Sequence, residues 1–250
     1  MLSEKLAFQA CAKLANEVLQ SQNVAKRYTG EELVSEFVGQ NFRSMMGAIQ
    51  KVHNFTLSPD QLDSYVNREV TEVIAKIKAD GEECPGSTVV LDQLAQEGDY
   101  NMAVVSSSAG PRVEASIIKV GHDRFFRDER GRCKVYSAAT SLPVPTSKPN
   151  PAIYLYALDE QNGKPQSTLA VEDSKSGATA AKNAGLWVIA YVGAYDEHEK
   201  EEMARMLMED VGCHQLMYDW SEFQTCLDNI NAVRYFLSYR RSIFWIGVAC

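Results

Sequence analysis

A chain of 250 residues is long enough to bury one large core or two smaller ones, and 45% hydrophobic with 23% charged residues is a globular composition. A net charge of -8 excludes a general nucleic-acid binder, which needs a basic face against phosphates, yet leaves room for one cationic pocket. The six cysteines (Cys11, Cys84, Cys133, Cys213, Cys226 and Cys250) form no Cys-x-x-Cys pair and no zinc-like spacing with histidine, so free thiols in a reducing compartment are expected. The N-terminal residues lack the apolar core of a signal peptide, and no apolar run reaches the roughly 20 residues of a membrane span. A cytoplasmic protein with no membrane partner is expected.

In chain order, residues 3 to 80 read as helices. Leu6, Cys11, Leu14, Val18 and Leu19 recur at helical spacing. Thr29 with Glu32 three residues on marks one helix start, and Ser58-Pro59-Asp60 marks another. No strand pattern interrupts this stretch, which predicts a small helical bundle. After Asp80-Gly81 the character changes. Short apolar runs at 101–105, 133–137, 168–171, 187–191 and 215–218 read as strands. Helical patterns at 87–97, 111–120, 149–158, 176–184 and 198–209 separate them. This alternation predicts an α/β fold with a parallel sheet and right-handed crossovers. Ligands of such sheets bind at the carboxyl ends of the strands. Residues 232–250 are basic and aromatic and fit neither pattern; they read as a docking tail or as sequence unrelated to the fold. The expected division is a helical domain at 1–80, an α/β core at 81–231 and this tail at 232–250.

Three polar clusters fall at strand or helix ends. Ser106-Ser107-Ser108 follows the first apolar run and offers hydroxyls and free N–H groups, which suit phosphoryl oxygens; alone, it could equally cap a helix. Ser147-Lys148-Pro149-Asn150-Pro151 puts a lysine at the start of a helix. A cation there gains nothing from the helix dipole unless an anion lies between them. Glu172-Asp173-Ser174 ends a buried strand with two adjacent carboxylates, whose repulsion a hard cation such as Mg²⁺ relieves.

Strand-Ser106, then Ser-Lys-Pro-x-Pro around Lys148, then Val-Glu-Asp-Ser-x-x-Gly from Val171 resemble motifs II, III and IV of the haloacid-dehalogenase superfamily. They are most similar to its β-phosphoglucomutase-like and sugar-phosphate phosphatase branch. The resemblance implies a Rossmann-like core with a helical C1 cap. Ser106 and the Ser107 N–H would hold a phosphoryl oxygen, with Ser108 beside them. Lys148 would neutralise charge, Asp173 with Glu172 would hold Mg²⁺, and Ser174 would support that shell. Gln40, Asn41 and Arg43 lie where the cap of relatives reads the substrate. The same resemblance implies a first, central strand ending in Asp-x-Asp-Gly-Thr, whose first aspartate attacks phosphorus and forms an aspartyl-phosphate. These 250 residues contain no such motif, and Met1-Leu2-Ser3-Glu4-Lys5 resembles the residues that come directly after it in relatives. The expectation is therefore a sheet short of its central strand, with its neighbours unpaired. The implied function is a Mg²⁺-dependent phosphatase of a small phosphorylated sugar or polyol, monomeric, and inactive on these residues alone. The alternatives are a catalytically dead phosphate-binding or interaction protein and, at full length, a β-phosphoglucomutase-like isomerase.

Overall fold

The computed structural model describes residues 3–37, 41–237 and 243–247. The chain divides into two compact units, Leu2–Gly81 and Glu82–Cys250. The first holds α1 (Ser3–Ser21), α2 (Gly30–Phe37), α3 (Phe42–His53) and α4 (Pro59–Asp80). Leu14, Val18 and Leu19 of α1 share one stripe at helical spacing and pack with Leu33 of α2 and Met45, Met46 and Ile49 of α3 in a single apolar cluster. The starts of α2 and α4 use side chains to satisfy backbone donors that a helix leaves free. The Glu32 N–H donates to Thr29 Oγ1 (3.1 Å) and the Thr29 N–H to Glu32 Oε2 (2.7 Å). Ser58 and Gln61 make the same reciprocal pair under Pro59.

The second unit runs α5 (Ser87–Glu97), β1 (Tyr100–Ser106), α6 (Gly110–Lys119), β2 (Val135–Ser137), α7 (Ala152–Glu160), β3 (Thr168–Glu172) and α8 (Lys175–Asn183). It continues with β4 (Trp187–Tyr191), α9 (Lys200–Arg205), β5 (Gln215–Met217), α10 (Phe223–Leu237) and β6 (Ile243–Gly247). A π-helical turn, Met206–Asp210, extends α9. The six strands form one parallel sheet in the order β2-β1-β6-β3-β4-β5. Alternate strand residues serve opposite faces. Met102, Val104, Leu169, Val171, Ile189 and Tyr191 pack with residues of α5, α6 and α10. Ala103, Val105, Ala170, Val188 and Ala190 pack with α7, α8 and α9. The result is a three-layer α/β/α sandwich around two apolar cores.

Of the tail expected at 232–250, residues 238–242 and 248–250 lie outside the described residues, and β6 corrects the reading of the rest. The tail was expected to stand outside the fold, and the sheet was expected to lack its central strand. Instead β6 fills the centre: Ile246 pairs with Ala103 of β1 on one side and with Ala170 of β3 on the other. The physical reason is the run Ile243-Phe244-Trp245-Ile246, four β-favouring residues in a row. Averaged over the basic stretch before it, that run loses its strand character. Placed between two strand edges, it supplies the backbone partners both lack. Among the described residues, no helix is long and apolar enough to cross a membrane.

Candidate functional site

β1 and β3 flank β6, so their carboxyl ends come to the same edge of the sheet. β1 delivers Ser106, which is buried and paired in register with Ser137 of β2. The chain turns tightly there: the Ser108 N–H donates to Ser106 Oγ (3.1 Å), and Ser137 Oγ donates to the Ser108 carbonyl (2.7 Å). Thr140 Oγ1 receives the Gly110 N–H at the start of α6 (3.1 Å), so the α6 end is capped from outside this turn. Ser106 thus holds its own loop in shape, and Ser107 ties that loop to the next cluster: its Oγ accepts the Lys148 N–H (3.1 Å).

Lys148 precedes a cis peptide bond to Pro149 and lies 8% exposed. Its ammonium has three hydrogens and meets three acceptors. These are the Val105 carbonyl (3.0 Å), Tyr154 Oη (3.4 Å) and Glu172 Oε1 (2.5 Å). The ammonium also lies 4.9 Å from the centre of the Tyr154 ring. Tyr154 Oη donates to the same Glu172 Oε1. Burial and the Glu172 charge push the Tyr154 phenol well above its usual range, so it stays a donor. The lysine was expected to face an anion at the helix start; the anion that the structure supplies is a protein carboxylate.

Glu172 is 1% exposed, and its two oxygens differ sharply. Oε1 receives two donors, whereas Oε2 is buried without a hydrogen-bond partner among the described residues. Gly177 of α8 makes the space: a Cβ there would overlap Oε2 and stand 2.5 Å from Cδ. The carboxylate fills the volume a side chain at 177 would need. Asp173, one residue on, keeps some exposure, but burial of its carboxyl and then the Glu172 charge push it up to about 7. Its carbonyl is fixed by the Tyr195 hydroxyl (2.9 Å). Ser174 is the N-cap of α8 and accepts the Gly177 N–H (3.1 Å), which seats the glycine against Glu172.

The structure therefore brings Ser106, Ser107, Ser108, Lys148, Glu172, Asp173 and Ser174 to neighbouring strand ends. Asn41 and Arg43 belong to the helical unit. Asn41 caps α3 by accepting the Ser44 N–H (2.9 Å), and Arg43 pairs with Asp63 (2.5 Å) at the surface. Gln40 lies outside the described residues. Sequence reasoning missed Tyr154, and it registered Gly177 only as the closing glycine of Val-Glu-Asp-Ser-x-x-Gly, without its contact to Glu172. Tyr154 reads as one more aromatic in an apolar helix; its position six residues after Lys148 was the available signal. Among the described residues, no cluster of three or more His, Cys, Asp or Glu side chains is placed to hold a metal; Glu172 and Asp173 are the adjacent pair. That pair still suits Mg²⁺, which is commonly held by one or two carboxylates with water and phosphate completing its shell. The orphaned Oε2 is an acceptor that the ammonium leaves unused, and Asp173 is a carboxyl whose ionisation burial and then the Glu172 charge disfavour.

The family described as haloacid dehalogenase-like hydrolase matches residues 7–191. Among curated proteins, the chain is 32% identical over 146 residues to protein CbbY of Cereibacter sphaeroides, covering 58% of this chain and 60% of that protein. It is 23% identical over 170 residues to the 6-phosphogluconate phosphatase of Escherichia coli, covering 68% and 69%. The chain spans 60%, 38% and 20% of the length of the first three curated relatives. Among solved structures, CbbY from Rhodobacter sphaeroides in complex with phosphate superimposes with a TM-score of 0.66 at 25% identity, covering 90% of this chain and 93% of that one.

Proposed function

The chain belongs to the haloacid dehalogenase-like hydrolases, and from that premise we propose that it binds a small phosphorylated sugar or polyol together with Mg²⁺. The observation that carries this reading is the convergence of Ser106, Lys148, Glu172 and Asp173 at the carboxyl ends of β1 and β3. Ser106 shapes a loop whose N–H groups suit phosphoryl oxygens. Lys148 is the positive charge of the site, and Asp173 with Glu172 would hold the metal. When bound, Mg²⁺ supplies charge neutralisation for the phosphoryl oxygens. The carbohydrate part of the reading is supported by the relative that acts on 6-phosphogluconate.

Phosphatase chemistry of this family proceeds through an aspartyl-phosphate. These 250 residues contain no Asp-x-Asp-Gly-Thr. With an aspartate strand supplied, the site is that of a phosphatase. The observation favouring a second reading, a phosphate-binding protein without turnover, is β6: the central place in the sheet is taken by Ile243–Gly247. The two readings separate in one assay. The 250-residue chain with Mg²⁺ is expected to release no phosphate from sugar phosphates or para-nitrophenyl phosphate above a Lys148→Ala control. Turnover that disappears in Asp173→Ala would overturn that expectation and establish hydrolysis by the chain itself.

A further inference from the structure

We infer that Lys148 becomes a donor to a phosphoryl group only after a divalent cation has drawn Glu172 away from it, so that cation binding precedes anion binding. The inference rests on the reading of the site as a phosphate and Mg²⁺ cradle, and it concerns the order of events there. All three ammonium hydrogens are engaged, by Val105, Tyr154 and Glu172. An added anion finds no free N–H on this side chain. It also meets the charge of the Glu172 carboxylate, whose Oε2 has no hydrogen-bond partner among the described residues. Phosphate alone is therefore opposed twice, by lack of a donor and by repulsion.

The cation faces the complementary geometry. Glu172 Oε1 is held by two donors, and Oε2 is closed against Gly177. Neither oxygen is open to an ion beside Asp173. For both carboxylates to share one ion, the Glu172 carboxylate must turn, and turning breaks its bond to the ammonium. Tyr154 is the positioning residue of this exchange: it holds Oε1 in the closed arrangement and still offers Lys148 an acceptor after Glu172 leaves. An ion pair this deeply buried resists separation unless the lost partner is replaced. With a cation held by both carboxylates, Glu172 would keep a positive partner without the lysine, and the freed Lys148 ammonium would be left to take a phosphoryl oxygen in its place. Reciprocity then requires phosphate and Mg²⁺ to raise each other's affinity by the same factor.

The direct test observes the Lys148 ammonium in the full chain by ¹⁵N-edited NMR of lysine side chains, the signal being assigned through its loss in Lys148→Arg. Inorganic phosphate alone is expected to leave the signal in place. MgCl₂ alone shifts it, and phosphate added after MgCl₂ shifts it again. By calorimetry, MgCl₂ tightens phosphate binding by about tenfold or more. Glu172→Gln removes the closed ion pair, and its phosphate affinity is expected to lose most of this dependence. A Lys148 shift with phosphate alone, or equal phosphate affinity with and without MgCl₂, overturns the order while leaving the phosphate site standing. Absence of binding under both conditions overturns the site reading and this inference with it. Should Glu172→Gln fail to fold, the wild-type NMR series decides alone.

Discussion

Surface ion pairs occur in both units of this chain, and a buried Lys–Glu pair sets the α/β unit apart. In the helical unit the ion pairs are at the surface: Arg43 with Asp63 and Arg68 with Glu17 have side chains between 36% and 56% exposed. In the α/β unit, Lys148 and Glu172 pair with side chains only 4% and 1% exposed. The helical unit exposes its ion pairs to water, buries Glu69 beside the Cys11 thiol and gives its backbone ends caps. Besides its surface pairs, the α/β unit holds a buried pair at one edge of its sheet, where a carboxylate oxygen has no partner among the described residues and burial raises a neighbouring aspartate to about 7. Burying charge costs stability unless every partner is present. A fold that carries such an arrangement at the strand ends where ligands bind marks its working site there.

The contrast can be broken most severely at Lys148. Lys148→Met leaves Glu172 buried without its counterion and is expected to destabilise the α/β unit by about 3–5 kcal/mol. Urea titration followed by tryptophan fluorescence isolates this unit, because all three tryptophans, Trp187, Trp220 and Trp245, lie within it. An unchanged midpoint would show that the pair is dispensable. Gly177→Ala comes next. Its Cβ would occupy the place of the Glu172 carboxylate, and the forced shift is expected to cost about 1–3 kcal/mol. Loss of Mg²⁺ and phosphate binding should accompany it.

A third test lies in the α/β unit but away from the strand ends. His122 is buried, with Nε2 2.8 Å from Thr88 Oγ1 and 3.1 Å from Glu83 Oε2. Burial lowers its pKa below the usual 6.5, outweighing the attraction of Glu83. The unfolded chain therefore takes up a proton that the native histidine resists. Its contribution to stability is full above the unfolded value and is lost as pH falls through the folded one, with a slope bounded at about 1.4 kcal/mol per pH unit. His122→Asn should flatten the stability profile below about pH 6.5. An identical slope in the variant would assign the acid sensitivity elsewhere. The smallest effect is expected in the helical unit: Arg43→Ala should change stability by less than about 0.5 kcal/mol, because its pair is solvated and screened. A loss comparable to that of Lys148→Met, read by circular dichroism, would erase the distinction between the two units.

Much of this architecture was legible before the structure. Local signals announce local structure: Ser58-Pro59 and Thr29 with Glu32 predict helix starts that the structure forms. The polar clusters at 106–108, 148 and 172–174 stand at element ends because adjacent like charges and unpaired hydroxyls are poorly tolerated inside an element. What stayed hidden is non-local. Tyr154 meets Glu172 across 18 residues and Lys148 meets Val105 across 43, and neither contact has a period. β6 was hidden for the same reason. Its partners are β1 and β3, far earlier in the chain, and pairing between parallel strands leaves no mark on the spacing within a strand. Lys148 was expected to face an anion at the start of its helix; in the fold its ammonium meets Glu172, at the end of a strand 24 residues on.

The claim on which the rest depends is that the α/β unit retains a phosphate and Mg²⁺ cradle built on Lys148, Glu172 and Asp173. Calorimetric titration of inorganic phosphate into the full chain in MgCl₂, alongside Asp173→Asn, tests it directly. Saturable binding with a single site per chain, abolished in Asp173→Asn, is the expected result. No saturable binding by the unaltered chain, or undiminished binding by Asp173→Asn, would contradict it.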